Sequence, residues 1–332
     1  MKKVVWGILG TAKIGMLKVI PAMQRSQWIE VRAIASRSEA AARQAARELH
    51  IPKAYGSYEA LLADPEIEAV YNPLPNHLHV LLTLRAAASG KHVLCEKPIA
   101  LTSEEAEQLR SVAGEAHIME AFMVRFHPQW LRARELVHSG RIGEMRALQV
   151  FFSYYNADPT NIRNQYEIGG GALYDIGCYG IVSGRFLFES EPRRAVALVD
   201  RDPALRTDRT TSALVDFGQG RQLSFTVSTQ CVPYQRVHIC GTRGRIEIQI
   251  PFNAPQGHPT RIFIDDGSTL DGENMATETV AACDQYMLES EAFSRAVRGD
   301  IRLPFGVEDA LMNTRTIDAL FRSEKSGRFE EI

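Results

Sequence analysis

Apolar residues over about the first 120 positions fall into short continuous runs, and between the runs they recur every three or four places. The runs at 4–9, 30–35, 69–71, 92–95 and 117–121 read as buried strands. The stretches at 14–25, 38–49, 77–89 and 103–112 read as helices, with a short further segment at 58–62. Strands alternating with helices specify a parallel, doubly wound sheet, a Rossmann-type α/β domain. Past Pro128 the rhythm changes. Longer runs rich in β-branched and aromatic residues follow one another at 145–155, 195–199, 212–217, 221–229, 236–240 and 245–250. Hairpins are expected at Phe217-Gly218-Gln219-Gly220-Arg221 and Gly241-Thr242-Arg243-Gly244. This C-terminal half reads as α+β, an open and mostly antiparallel sheet with helices at 171–188, 284–298 and 307–323 covering one face. The last helix is placed to pack back on the first domain.

With 332 residues the chain is long enough for two domains, read here as 1–122 and 123–332. Its 38 basic and 40 acidic residues are mixed along the sequence for a net charge of −2, so no basic stripe offers itself to nucleic acid or to an anionic membrane. Cys95, Cys178, Cys231, Cys240 and Cys283 are widely spaced and form no Cys-x-x-Cys pair, which fits reduced thiols better than a metal or redox centre. Met1-Lys2-Lys3 before an apolar run resembles the start of a signal peptide, but Gly10 ends the run early and a buried first strand explains it better. No apolar run reaches the roughly 18–20 residues that span a bilayer. A soluble, cytoplasmic protein is expected.

Gly10-Thr11-Ala12-Lys13-Ile14-Gly15 follows the first strand and opens a helix, the context that a dinucleotide fingerprint requires. It departs from the pattern at its second glycine, where Ala12 sets a methyl against the expected pyrophosphate. The second strand ends in Ser36-Arg37-Ser38, without the carboxylate that would accept a ribose 2′-hydroxyl. Ser36 and Arg37 can instead donate to a 2′-phosphate, which favours NADP over NAD; an Arg37 stacked on adenine is the competing reading. Ser38 is also suited to cap the helix that follows. His77 and His79 are not read as a metal pair, because no cysteine or carboxylate completes a ligand set, and no metal is expected.

Two constellations carry the chemistry. Glu96-Lys97-Pro98 closes the strand at 92–95, at the carboxyl edge where open α/β sheets place their reactive groups. Lys97 there can hold a substrate hydroxyl and depress the pKa of a neighbouring acid, with Glu96 as its ion-pair partner or as a contact to the nicotinamide ribose. Pro98 imposes extended geometry on Lys97, and a cis bond between them is compatible with the sequence. The second constellation runs Gly169-Gly170-Gly171-Ala172-Leu173-Tyr174-Asp175-Ile176-Gly177-Cys178-Tyr179-Gly180. Asp175 and Tyr179 stand four apart on one helical face, and the glycines permit a close approach to another backbone or to a ligand.

Glu-Lys-Pro behind a strand, glycine turn and helix, together with the Gly-Gly-Gly-x-Leu-x-Asp-x-Gly-x-Tyr run, resembles the glucose-fructose oxidoreductase and inositol dehydrogenase family over nearly the whole chain. The tyrosine is similar to the branch that includes NADP-dependent xylose dehydrogenase and dimeric dihydrodiol dehydrogenase. The resemblance implies that Tyr179 occupies the acid/base position and that Pro73, Leu74, Asn76 and His77 belong to a loop touching the nicotinamide ribose and pyrophosphate. It also implies a dimer or tetramer formed through the sheet of the second domain. A tyrosine of ordinary pKa about 10 needs nearby cations to act as a base, and Lys97 supplies one. Which of Lys97 and Tyr179 is the formal base stays open in the sequence. Asp175 would orient a second hydroxyl, and Arg125, Phe126 and Arg163 are candidates to line a pocket for a polyhydroxylated substrate. Tyr154, Tyr155 and Phe152 read as sheet packing. The expected activity is NADP-dependent hydride transfer on a carbohydrate or cyclic polyol, an aldose 1-dehydrogenase first. A sugar-nucleotide 3-ketoreductase and a non-enzymatic NADP-bound regulator are the alternatives.

Overall fold

The computed structural model describes residues 2–332. They form two compact units, one running through Met123 and taking in Tyr286–Thr314, the other comprising Val124–Gln285 and Arg315–Ile332.

The first unit is built on β1 (Val4–Leu9), β2 (Ile29–Ala35), β3 (Lys53–Tyr55), β4 (Ala69–Asn72), β5 (His92–Glu96) and β6 (Ile118–Ala121). They lie in the order β3-β2-β1-β4-β5-β6, every neighbouring pair parallel. The order reverses between β1 and β4, and the carboxyl ends of those strands are where an open α/β sheet receives a ligand. Every residue of β1 and β4 is buried, as expected of strands covered on both faces. The helix Glu39–Glu48 begins at Ser38, whose hydroxyl accepts from the Ala41 N–H at 3.3 Å. Later residues return to this sheet: Trp6 packs on Phe293 at 5.4 Å between ring centres and donates from its indole nitrogen to Ser294 Oγ at 3.2 Å. Arg298 adds a 2.6 Å ion pair to Glu68, whose carboxyl it holds down at a pKa of about 2.

Four stretches that read as single helices are composite, among them the one at 77–89, which is 3-10 over Asn76–Leu78 before an α-helix over His79–Ala88. The first is a π-type turn, Gly15–Val19, followed by Ile20–Gln24. Pro21 has no N–H to give an ordinary helical bond, so a change of winding at this point is expected. Ser103–Glu107 tightens into 3-10 geometry over Gln108–Val112. Leu173–Gly177 is again π-type and leads into Cys178–Phe188. Such widened turns are frequent at functional sites.

The second unit carries β7 (Met145–Tyr155), β8 (Arg194–Arg201), β9 (Asp208–Asp216), β10 (Gln222–Ser228), β11 (Gln230–Gly241), β12 (Arg245–Ile248), β13 (Thr260–Asp265), β14 (Ala276–Val280) and β15 (Glu330–Glu331). They form one sheet in the order β14-β13-β12-β11-β7-β10-β9-β8-β15. Only β10 and β7 pair in parallel; the other neighbours are antiparallel, and both expected hairpins are present. The side chains alternate in period two. Leu148, Val150, Phe225, Val227, Val237 and Ile239 are buried, and the helix Cys178–Phe188 packs over β7 and β10. The opposite face exposes Leu198, Leu214 and Tyr234. The strands β13, β14 and β15 and the helix Pro128–His138 have no counterpart in the sequence reading. β14, with the sequence Ala-Thr-Glu-Thr-Val, is a polar edge strand and so lacks a strong apolar run. Among the described residues no helix is long and apolar enough to cross a membrane.

Candidate active site

At the end of β1 the chain turns through Gly10 at φ +93°, where a Cβ would stand 2.8 Å from Leu74 Cδ2. Only glycine suits that conformation and that contact. Gly15 is different, since a Cβ there would meet Tyr71 and Pro73 at ordinary distances of 3.6 and 3.7 Å. Thr11, Ala12 and Ile14 are half-buried and Lys13 is exposed. Ala12 accepts the first helical bond, from the Met16 N–H at 3.0 Å, so the departure from glycine sits at the mouth of the helix. Ser36 is half-buried and Arg37 exposed beyond β2. Tyr58, which the sequence reading left without a role, adjoins Arg37, and its hydroxyl is 4.0 Å from the place a Gly10 Cβ would take. Burial raises the pKa of Tyr58 while the neighbouring guanidinium opposes the shift. A guanidinium and a phenol with no carboxylate at the end of β2 form a donor set that fits a phosphate ester better than a bare ribose hydroxyl.

The loop after β4 has Pro73 and Leu74 buried, Asn76 half-buried and His77 exposed. His79 is 1 % exposed, and its Nδ1 and Nε2 stand 2.7 Å from Pro98 O and 2.6 Å from Leu74 O. One imidazole thus stands between the loop of Pro73 and Leu74 and the segment of Lys97, donating in its neutral form to one of the two carbonyls. Burial lowers its pKa to about 4 against the pull of both carbonyls. The Lys97–Pro98 peptide is cis. Just beyond it the Ile99 N–H donates to Glu120 Oε1 at 2.8 Å, and Glu120 Oε2 accepts from Asn313 Nδ2 at 2.9 Å. Glu96 Oε1 accepts from the Tyr71 hydroxyl at 2.6 Å, and burial, then Glu96, pushes that phenol well above its ordinary pKa. Three buried groups from other elements therefore hold Glu96-Lys97-Pro98 in place.

In the second unit the glycine run meets the chain's own atoms. A Cβ on Gly170 would lie 2.6 Å from Arg163 O, and one on Gly171, at φ +127°, would lie 1.9 Å from Asp208 Oδ1. The turn that follows presents Asp175, whose side chain is 14 % exposed. Its Oδ2 accepts from the Tyr154 hydroxyl at 2.6 Å and its Oδ1 from Arg163 Nε at 3.0 Å. Burial and then Asp175 push the Tyr154 phenol up, so Tyr154 remains a donor at neutral pH. Tyr154, read from sequence as packing, is thus a polar partner of Asp175. Tyr179 is 6 % exposed, and its ring packs on Phe152 at 5.9 Å and Phe252 at 5.2 Å. Phe252 stacks in turn on Phe152 and Trp130, so an aromatic cluster sets the orientation of the Tyr179 ring. Arg125 is 4 % exposed rather than a surface residue, and Phe126 is half-buried on the same short turn, Met123–Phe126. Asp175, Arg163 and Tyr154 meet, whereas Arg125 and Phe126 belong to a separate segment. Among the described residues no three His, Cys, Asp or Glu side chains cluster as metal ligands would.

Comparison with known proteins matches residues 4–126 to an oxidoreductase family with an NAD-binding Rossmann fold and residues 130–247 to the GFO/IDH/MocA C-terminal domain. An uncharacterized oxidoreductase of Rhizobium meliloti is 48 % identical over the full length of both chains. A D-xylose 1-dehydrogenase (NADP(+)) of Haloferax volcanii is 39 % identical, covering 98 % of this chain and 99 % of its own. Among solved structures, a 3-ketoreductase from Actinomadura kijaniata in complex with NADP and TDP-benzene superposes with a TM-score of 0.90 at 28 % identity, covering 97 % of this chain and 98 % of its own.

The His79 bridge makes a testable prediction about pH. With a folded pKa of about 4 against roughly 6.5 unfolded, the unfolded chain takes up the proton first as pH falls, and stability is lost below neutrality. Wild type should lose about 2 kcal/mol more between about pH 7 and pH 5 than His79→Asn, read from urea unfolding. Equal slopes would mean that the two carbonyls keep the folded ring charged.

Proposed function

Because the chain belongs to the GFO/IDH/MocA family of oxidoreductases, we propose that it is an NADP-dependent sugar dehydrogenase that oxidises the C1 hydroxyl of an aldose. The observation that carries this reading is the Tyr154–Asp175–Arg163 cluster, centred on a carboxylate that lies on the same segment as the buried Tyr179. Such a set of fixed donors and a carboxylate suits neighbouring hydroxyls, and a positioned phenol suits proton transfer. The likeness to a D-xylose 1-dehydrogenase over nearly the whole chain supports it.

In this reading Gly10, Thr11, Ala12, Lys13 and Ile14 hold the dinucleotide phosphates, and Ser36 and Arg37 the 2′-phosphate, with Tyr58 beside Arg37. Pro73, Leu74, Asn76, His77 and Glu96 surround the nicotinamide half. When bound, NADP supplies the hydride-accepting carbon. Tyr179 takes the hydroxyl proton, Lys97 places a positive charge at the substrate oxygen, and Asp175 orients an adjacent hydroxyl. A folded-state carboxylate already held by Tyr154 and Arg163 needs little rearrangement to do so. Oxidation of the C1–H and O–H then yields a lactone, a hydride on the cofactor and a proton on the enzyme.

The second reading, reduction of a 3-keto sugar nucleotide, has its own support in the ketoreductase structure and in a dTDP-sugar 3-reductase of Streptomyces violaceoruber that is 33 % identical over 88 % of this chain. Initial rates at the nicotinamide absorbance band separate the two. Turnover with NADP and free aldoses supports the dehydrogenase; activity only with NADPH and a keto sugar nucleotide supports the ketoreductase and removes the first reading.

We further propose that a second copy covers the open face of the nine-stranded sheet. Leu198 at 79 % and Leu214 at 51 % exposure leave an apolar patch on a surface that is otherwise mixed in charge.

Three predictions follow from these assignments. Tyr179→Phe should lose turnover by about 100-fold or more while binding NADPH with unchanged affinity, measured by cofactor fluorescence. Arg37→Glu should lower the NADP-to-NAD ratio of kcat/KM by about 10- to 100-fold, because it exchanges a charge-assisted donor for a like charge. Leu198→Glu should convert the assembly to monomers in light scattering; an unchanged mass would place the interface elsewhere.

A further inference from the structure

Asp208 opens β9, is 1 % exposed, and has no part in the chemistry assigned above. Its Oδ2 accepts from the Leu173 N–H at 2.7 Å and from the Thr211 hydroxyl at 2.9 Å. The first N–H groups of a helical segment lack partners within the helix and need them from outside. A short polar side chain at the N-cap usually serves; here Ala172 holds that place and no local side chain caps the turn. The carboxylate arrives instead from a strand 35 residues further along the chain. Gly171 admits it, since any Cβ there would lie 1.9 Å from Asp208 Oδ1. The glycine run thus has a physical purpose that requires no ligand.

We propose that Asp208 is a positioning residue: through the Leu173 N–H it fixes the start of the turn that carries Asp175 and leads to Tyr179, and so sets where those side chains stand. This rests on the reading of Tyr179 and Asp175 as the reacting and orienting groups. The groups around Asp208 come from each neighbouring element. Arg201 on β8 lends positive charge but is itself paired to Glu324 at 2.6 Å, Tyr154 on β7 is the partner of Asp175, and Thr211 lies on β9 itself. Burial raises the Asp208 pKa to about 7, and the Leu173 N–H, Thr211 and Arg201 only partly oppose it. A folded pKa above the unfolded value of roughly 3.9 gives stability that is present below that value and lost as pH rises toward 7. The carboxyl therefore takes up its charge only near neutrality, and the turn it caps opens more easily as that charge forms.

The test compares wild type, Asp208→Ala, Asp208→Asn and Tyr179→Phe by hydrogen exchange of residues 172–180 and by steady-state kinetics. In Asp208→Ala that segment should exchange about 10-fold faster or more and kcat should fall about 10- to 100-fold, with NADPH affinity unchanged. Asp208→Asn keeps an acceptor oxygen without a charge. It should retain protection, but lose the fall in protection that wild type shows from about pH 6 to about pH 8 once intrinsic rates are removed. If Asp208→Ala does not fold, the asparagine comparison decides alone. Unchanged exchange in a folded Asp208→Ala, or identical pH behaviour of Asp208→Asn and wild type, overturns the proposal whatever the turnover. Full turnover in Tyr179→Phe would instead remove the acid/base assignment, and the exchange data would still judge Asp208.

Discussion

A buried polar group needs a partner, and in this chain that requirement shapes both segments that carry candidate chemistry. Neither Glu96-Lys97-Pro98 nor the turn of Asp175 and Tyr179 is regular structure held by packing alone. Each is held through backbone groups that donate to or accept from ionisable side chains brought from elsewhere. His79 and Glu120 take Pro98 O and the Ile99 N–H, and Asp208 takes the Leu173 N–H. An unpartnered buried backbone group costs about 1–3 kcal/mol, so these contacts strongly constrain the segments they hold.

The same constraint accounts for the glycines. Gly10 admits Leu74, Gly170 admits the Arg163 backbone and Gly171 admits the Asp208 carboxylate. In each place the missing side chain lets the chain approach itself. Around Tyr179 the restraint changes character, from hydrogen bonds at the turn to the rings of Phe152 and Phe252. A phenol held on an apolar wall loses little entropy on reaching its working position, which is how preorganisation contributes to rate.

Periodicity made much of this visible in the sequence. β1 and β7 have the bounds that their apolar runs suggest, and the two glycine turns of the second sheet join the strands they were expected to join. Glu96-Lys97-Pro98 and the glycine run were legible because their residue types are unusual where they stand. The partners of those segments were not. Tyr154 and Asp175 are separated by 21 residues and Leu173 and Asp208 by 35, and a single long-range polar contact leaves no period in a sequence. Tyr154 alternates correctly along a strand and so reads as packing; only the fold shows its hydroxyl on a carboxylate. The packing of Phe293 on Trp6 is hidden likewise, because an amphipathic helix declares an apolar face but not the sheet it will cover.

The account as a whole rests on the transfer of hydride from C1 of an aldose. Incubating the enzyme with NADP and xylose deuterated at C1, then weighing the reduced cofactor by mass spectrometry, tests that transfer directly. The account predicts deuterium in the NADPH; reduced cofactor without the label, or no reduction by any aldose while a 3-keto sugar nucleotide is reduced, would contradict it.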